Sequence, residues 1–226
     1  MKTLILRDIR SIKSVLIFLS LGGLLIYVPF FMAIKTGELD DVGGIPNIIL
    51  GYYLLIASMG CINWIIAKNT NKGAGTNKLL RSLPINPKKI VISRFLEPSF
   101  IYGIFLIVNL LMIGVSSIIL GIQLNISIST MGLCFLVSQI YGVISLGMDL
   151  AYPESSYVSY VRTIPFFVIT LFFSVGSKFF EKYGAAINID MNSVLIWATG
   201  LLIVVALVIT FVMYKFTLRK FIVKEL

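Results

Sequence analysis

Residues 98–120 read PSFIYGIFLIVNLLMIGVSSIIL, a run of twenty-three residues without a charged side chain. The hydrocarbon core of a bilayer is about 30 Å thick, and roughly 20 mostly apolar residues of helix are needed to cross it. The run is continuously apolar and does not alternate with polar residues, which favours a helix over a strand of a membrane barrel. This stretch therefore predicts a transmembrane helix.

The rest of the chain has the same character. It has 226 residues, of which 58% are hydrophobic and 13% charged, and its mean hydropathy is +0.98. Soluble domains are about 45–50% apolar and about 25% charged, so most of this chain needs lipid as its solvent. Residues 1–226 are therefore predicted to form one all-α transmembrane domain. Its six predicted membrane spans are residues 15–34, 47–67, 98–120, 129–148, 163–176 and 193–214.

Lysine and arginine are unevenly distributed among the segments that connect these spans. Sixteen of the nineteen lie in residues 1–14, 68–97, 149–162 and 215–226. Cytoplasmic loops carry an excess of Lys and Arg, which predicts a multi-pass protein of the cell membrane with both termini in the cytoplasm. The same distribution explains the net charge of +9 without binding of nucleic acid.

The segment before the first span is amphipathic. Apolar residues recur there at helical spacing, which predicts an interfacial helix over residues 1–14, at the surface of the cytoplasmic leaflet. The alternative is an ordinary positively charged flank of a membrane span. The residues that share the apolar face are Ile5, Ile9, Ile12 and Leu16.

The longest polar connection, residues 68–97, contains a second amphipathic pattern. Thr76 is a candidate N-cap of a short helix that ends at Pro84, and a further helix opens at Asn86 and feeds into the third span. A short helix held in water between two spans suits docking onto another protein. Its apolar edge and the flanking cations are Lys78, Leu79, Leu80, Arg81 and Leu83.

Two stretches of this connection resemble a known family. They are LLRSLPI at residues 79–85 and KKIVISRFL at residues 88–96. Both are similar to the first cytoplasmic loop of the small bacterial ABC-2 type permeases, and the likeness extends over the whole chain. It implies that the short helix is a coupling helix docked on a separate cytoplasmic ABC ATPase. ATP and Mg²⁺ would bind to that partner, and no cofactor to this chain. The resemblance implies docking by Lys78, Leu79, Leu80, Arg81, Leu83 and Pro84, with Glu154 and Tyr157 of the next cytoplasmic loop.

The resemblance also implies a dimer with a second permease copy or a paralogue, and a translocation pathway lined by the second and fifth spans. The chain is similar to the subgroup that exports phenol-soluble modulins or gives immunity to peptide antibiotics. We therefore expect an exporter of amphipathic peptides or lipophilic compounds. The residues assigned to the pathway are Tyr52, Tyr53, Asn63, Phe166, Phe167, Phe172 and Phe173.

Some polar and small residues of the spans have simpler interpretations. Asn63, Asn109 and Gln139 suit hydrogen bonds between helices, with contact to the cargo as the alternative. Ser138 and Gly142 permit close approach of two helices. The cysteines, Cys61 and Cys134, are expected to be packing residues.

Several enzyme and transporter classes are disfavoured. The chain has no phosphate-binding G-x-x-x-x-G-K-[S/T] motif and no histidine that could ligate a zinc ion. Asp149 is placed at the cytoplasmic edge of the fourth span and the other acidic residues in loops, so no carboxyl group is expected to take up a proton within the membrane. The chain is thus not expected to be an enzyme. The alternative function is a membrane anchor or sensor that moves no solute.

Overall fold

The computed structural model describes residues 10, 13–19, 32, 36, 45–71, 86–120, 127–152, 163–164, 167 and 191–223. Its long elements are four α-helices, and these ranges contain no strand. All four helices are long and apolar enough to cross a membrane. An all-α, multi-pass membrane protein is thereby confirmed, with four of the six predicted spans. The helices are α1 (Ile45–Asn71), α2 (Pro87–Leu120), α3 (Ile128–Ala151) and α4 (Met191–Val223).

The other predicted elements lie largely outside the described residues. Residues 13–19, at the start of the first predicted span, are helical, as are residues 163–164 and Phe167 of the fifth. The interfacial helix at residues 1–14 and the coupling helix at residues 76–84 stay predictions.

Helix α2 begins well before the first residue of the predicted third span. It begins at Pro87, directly after Asn86, whose side-chain Oδ1 accepts a hydrogen bond of 2.9 Å from the backbone N–H of Lys88. Asn is a favoured N-cap and Pro a favoured first helical residue, so this start is fixed locally. The prediction of a helix that opens here and feeds into the third span is confirmed. Its 34 residues make α2 about 51 Å long.

Helix α4 continues nine residues past its predicted end at residue 214, to Val223. Thr217 and Phe221 are fully buried, so its last turns pack against the other helices. Lys220 stands in the last turn, where a cation interacts favourably with the helix dipole. The tail contains basic residues that lower its average hydropathy, so a prediction based on hydropathy ends the helix too early although one of its faces is apolar.

The contacts along the helices give their relative directions, and α3 contacts each of the other three. Ser58 of α1 is hydrogen-bonded to Ser138 of α3, and Asn63 further along α1 to Tyr141 further along α3. Helices α1 and α3 are therefore parallel. Residues of α2 and α3 pair in the opposite order, so α2 is antiparallel to α3. These pairs are Phe95 with Gln139 and Tyr102 with Met131.

Helix α4 is parallel to α3. Thr217 donates a hydrogen bond to the carbonyl of Gly147, and Lys220, further along α4, lies over the ring of Tyr152, which directly follows α3. Helices α1, α3 and α4 thus end, and α2 begins, at the same end of the bundle, which we call the basic end. A chain that leaves α3 there has to return to the opposite end before α4 begins, and the predicted span at residues 163–176 would provide this crossing.

Two apolar clusters hold the helices together. The larger lies between α1, α2 and α3 and includes Leu54, Ile62 and Phe105, none of which has exposed surface. Because lipid is as apolar as these side chains, van der Waals packing stabilises such a bundle more than the hydrophobic effect does. The smaller cluster joins α2, α3 and α4 at the basic end and consists of Ile90, Val91, Phe95, Val143, Leu150 and Phe221.

Candidate functional site

The residues predicted to dock on an ATPase lie outside the described part of the chain. The two segments that carry them leave from the basic end: one runs between Asn71 and Asn86, the other follows Tyr152. The docking roles stay predictions. The residues concerned are Lys78, Leu79, Leu80, Arg81, Leu83, Pro84, Glu154 and Tyr157.

In the second and third turns of α2, two charged side chains are buried against the other helices. Nη1 of Arg94 lies 3.0 Å from Oε2 of Glu97, and the two residues are 2% and 1% exposed. They stand three positions apart, which brings them to the same face of the helix. The expectation that the acidic residues other than Asp149 lie in loops is wrong for Glu97. Its carboxylate is tolerated here because Arg94, one turn earlier, neutralises it.

Asp149 lies in the last turn of α3, at the edge of the fourth span, as predicted. It is only 3% exposed, so a third ionisable side chain is buried near the basic end. Buried ionisable groups in membrane proteins are expensive and tend to have a function. The buried pair Arg94–Glu97 and the buried Asp149 therefore mark the basic end of α2 and α3 as a candidate site.

A proline inside α2 is bound to α3 by a set of contacts that we call the Pro98 clasp: Pro98, Ser99, Gln139 and Gly142. A proline removes one helical N–H and pushes against the carbonyls of the preceding turn. Nε2 of Gln139 donates a hydrogen bond of 2.9 Å to one of those carbonyls, that of Phe95, and its Oε1 accepts one of 2.7 Å from Oγ of Ser99. The side chain of Gln139 thus holds α2 at its proline.

Gly142 completes the clasp by leaving room for the proline ring. A Cβ atom added at Gly142 would lie 2.6 Å from Cβ of Pro98 and 3.1 Å from Cδ1 of Ile62. Only glycine fits at this position, so α2 and α3 approach each other closely at the proline. The close approach predicted for Ser138 and Gly142 is confirmed, since Ser138 is itself in hydrogen-bonding contact with Ser58.

The polar residues predicted to join helices fall into two groups. Asn63 accepts a hydrogen bond of 2.6 Å from Oη of Tyr141, and Gln139 is bonded to α2, so both connect two helices as predicted. The prediction is wrong for Asn109, which donates to the carbonyl of Phe105 in its own helix. A carbonyl four residues earlier is within reach of an asparagine amide, and this local bond satisfies the donor without a second helix.

The predicted pathway residues are only partly brought together. The described side chains of α1 are buried except for one stripe with its flanking Tyr53 and Trp64. Tyr52 and Asn63 lie on this stripe, about 16 Å apart. Tyr53 points about a quarter turn away and packs against the larger cluster. Phe167 is exposed, and Phe166, Phe172 and Phe173 lie outside the described residues. The stripe consists of Tyr52, Ile56, Gly60, Asn63 and Ala67.

The described residues include few other groups that could ligate a metal or react. They hold no group of three or more potential metal ligands. Cys61 and Cys134 are free thiols buried in the larger cluster, in agreement with their predicted role in packing. What the basic end offers is thus a mechanical arrangement, in which the helix that follows residues 72–85 is fixed to its neighbours by buried polar bonds.

Two features of this site were not predicted from sequence. The spacing of Arg94 and Glu97 is that of a helical ion pair, and this could have indicated their pairing. The position of Pro98 in a span could have indicated a need for an external donor. That Gln139 binds this turn, at the carbonyl of Phe95, depends on how α2 and α3 are aligned, for which no local pattern gives a signal.

Comparison with known proteins gives one match. The family model described as "ABC-2 family transporter protein" matches residues 3–221, which is nearly the whole chain and includes almost all of the four helices. No curated protein and no solved structure matches.

Proposed function

The chain belongs to the ABC-2 transporter family, and on that premise we propose that it is the permease subunit of an ATP-driven exporter. A separate cytoplasmic ABC ATPase binds ATP and Mg²⁺, and this chain converts the movement of that partner into a rearrangement of its helices. A second copy or a paralogue supplies the other half of the conduit.

The observation that carries this proposal is the continuity of α2. One helix runs without interruption from Pro87, next to the predicted coupling segment, to Leu120 at the opposite end of the bundle. The Arg94–Glu97 pair and the Pro98 clasp lie within its first four turns. A displacement of the coupling segment is therefore passed to α2 as a rigid body, and through the clasp to α3.

The directions of the helices support six crossings with the basic end in the cytoplasm. The segments rich in Lys and Arg, residues 68–97 and 215–226, both meet the bundle at the basic end, as the positive-inside rule requires of loops on one side. The parallel course of α3 and α4 leaves an odd number of crossings between them, which fits one further span there.

Docking is tested by co-purification with the cognate ATPase. Replacing Leu79, Leu80 and Leu83 together by glutamate removes the apolar edge of the coupling helix, and we expect loss of the ATPase from a permease that still purifies as a folded protein. Thr76→Glu/Asn77→Glu is the matched control, because it adds negative charge to the same segment outside that edge. Retention of the ATPase by the triple variant would refute the docking role.

We further propose that the cargo is an amphipathic peptide or a lipophilic compound, which passes the half-buried stripe of α1 and the aromatic residues of the fifth span. Replacing Tyr52, Phe166 and Phe172 by alanine should abolish peptide-stimulated ATP hydrolysis by the reconstituted complex and leave assembly intact. Phe100→Ala is the control, because it removes an exposed aromatic side chain from α2. Unchanged stimulation in the triple variant would show that the cargo takes another route.

A further inference from the structure

Most of the described side chains of α4 are exposed. One set of them, spaced at intervals of three or four residues, lies on a single face and forms a stripe along most of the helix. The stripe is apolar over its first part and cationic over its last turns, where Nζ of Lys215 lies 5.5 Å from the ring centroid of Phe211. Its members are Trp197, Leu201, Val204, Val208, Phe211, Lys215 and Arg219.

The length of this stripe matches a bilayer. Trp197 and Lys215 are eighteen residues apart, which is about 27 Å along a helix, close to the hydrocarbon thickness of about 30 Å. Tryptophan favours the membrane–water interface, and a lysine at the other boundary extends its amine to the headgroups. Lys215 is thereby placed at the level of the lipid phosphates, with Arg219 about 6 Å further from the bilayer centre.

The exposed residues of helix α2 also change from cationic to apolar, starting from the basic end. Lys88 and Lys89 are exposed, and the exposed positions that follow them, Ile92 and Leu96, are apolar. The smaller apolar cluster holds the start of α2 against the end of α4, so the cations of the two helices stand at a similar depth. The acidic residues of the described helices, Glu97 and Asp149, are both buried, so none of the carboxylates that the structure describes lies on this positive surface.

We propose that the basic end of α4, with Lys215 and Arg219 at its centre and Lys88 and Lys89 of α2 beside them, is a binding surface for the headgroup of an anionic phospholipid. The phosphate lies against the two cations of α4, and an acyl chain runs along Val208 and Phe211. In the orientation proposed above, the lipid belongs to the cytoplasmic leaflet. The surface itself depends neither on that orientation nor on the transport function.

A second copy of the chain fits this face less well. Two copies related by an axis along the membrane normal would bring each stripe against its own equivalent at equal depth. Lys215 and Arg219 would then face the same cations, and like charges at such a distance repel one another. A lipid phosphate supplies the opposite charge.

The test uses the full chain in bilayers that contain brominated phospholipids, which quench tryptophan on contact. Phe211→Trp in a Trp64→Phe/Trp197→Phe background places the only tryptophan beside Lys215. Each cation near the surface contributes roughly a five-fold preference, so we expect brominated phosphatidylglycerol to bind at least five times more tightly than brominated phosphatidylcholine. Added salt should reduce that preference.

Adding Lys215→Ala and Arg219→Ala should bring the preference close to one, whereas the charge-conserving pair Lys215→Arg and Arg219→Lys should keep it. Size-exclusion profiles identical to that of the reporter protein show that each variant is folded. An equal affinity for both lipids in the reporter protein, or a preference that survives the alanine pair, would overturn the proposal. So would a tryptophan that neither lipid quenches, because protein then covers this face.

Discussion

At the scale of single residues, the bundle is organised by polar groups that lipid cannot solvate. Arg94 and Glu97 are buried together, and separating such a pair by removal of one member leaves an uncompensated charge. Gln139 and Asn63 each bond across a helix interface. The packing around these bonds is tight enough that one additional carbon atom at Gly142 has no room.

The first prediction concerns that position. Gly142→Ala places a methyl group against the rigid ring of Pro98, so α2 and α3 have to separate, and we expect a loss of roughly 1–3 kcal/mol of stability, the range for an overpacked core. Thermal unfolding of the purified protein in detergent measures this. Gly132→Ala is the matched control on the same helix, because a Cβ there meets nothing within 4 Å. Equal midpoints for the two variants would contradict the close approach.

At the scale of secondary-structure elements, α2 combines a rigid course with one built-in weak point. A proline in a helix leaves at least one carbonyl without its usual donor and permits a kink. The side chain of Gln139 binds the carbonyl of Phe95 and fixes that point to α3. The clasp therefore determines whether α2 passes on a displacement or bends under it.

The prediction for this element separates coupling from stability. Gln139→Leu removes both clasp bonds and should lower stability by only about 1 kcal/mol, because interhelical hydrogen bonds in membranes are weak. We expect it to reduce peptide-stimulated ATP hydrolysis by the reconstituted complex much more strongly.

Asn109→Leu is the matched control, since this buried amide bonds only within α2. It should change the stability by a similar amount and leave the coupling intact. If Gln139→Leu stayed fully coupled, or if the two amide variants were impaired alike, the clasp would have no special role in transmission.

The same helix shows how far the sequence predicts this fold. The start of α2 at Pro87 follows from local chemistry, an N-cap asparagine and a first-turn proline, and it was predicted. The burial of Glu97 and the extension of α4 to Val223 were not predicted. Both depend on which surfaces of α2, α3 and α4 meet, and a hydropathy pattern along one helix carries no information about its neighbours.

At the scale of the whole molecule, the proposed function depends on which parts of the chain share a side of the membrane. Helices α1, α3 and α4 end at the basic end and α2 begins there, so the predicted coupling segment, the segment after Tyr152 and the C-terminal tail all join the bundle at that face. An ATPase bound there would be in reach of every predicted docking residue. At the opposite end, α2 ends at Leu120 and α3 begins at Ile128.

The most direct test of this arrangement is labelling of single engineered thiols in intact cells by a membrane-impermeant reagent, after replacement of the buried Cys61 and Cys134 by alanine. Lys88→Cys and Arg219→Cys lie at the basic end. Ile128→Cys lies at the opposite end, where Ile128 itself is 86% exposed. We predict that Ile128→Cys reacts in intact cells, and that Lys88→Cys and Arg219→Cys react only after the cells are permeabilised. Labelling of Lys88→Cys from outside intact cells would contradict this prediction, because the coupling segment would then be beyond the reach of any cytoplasmic ATPase.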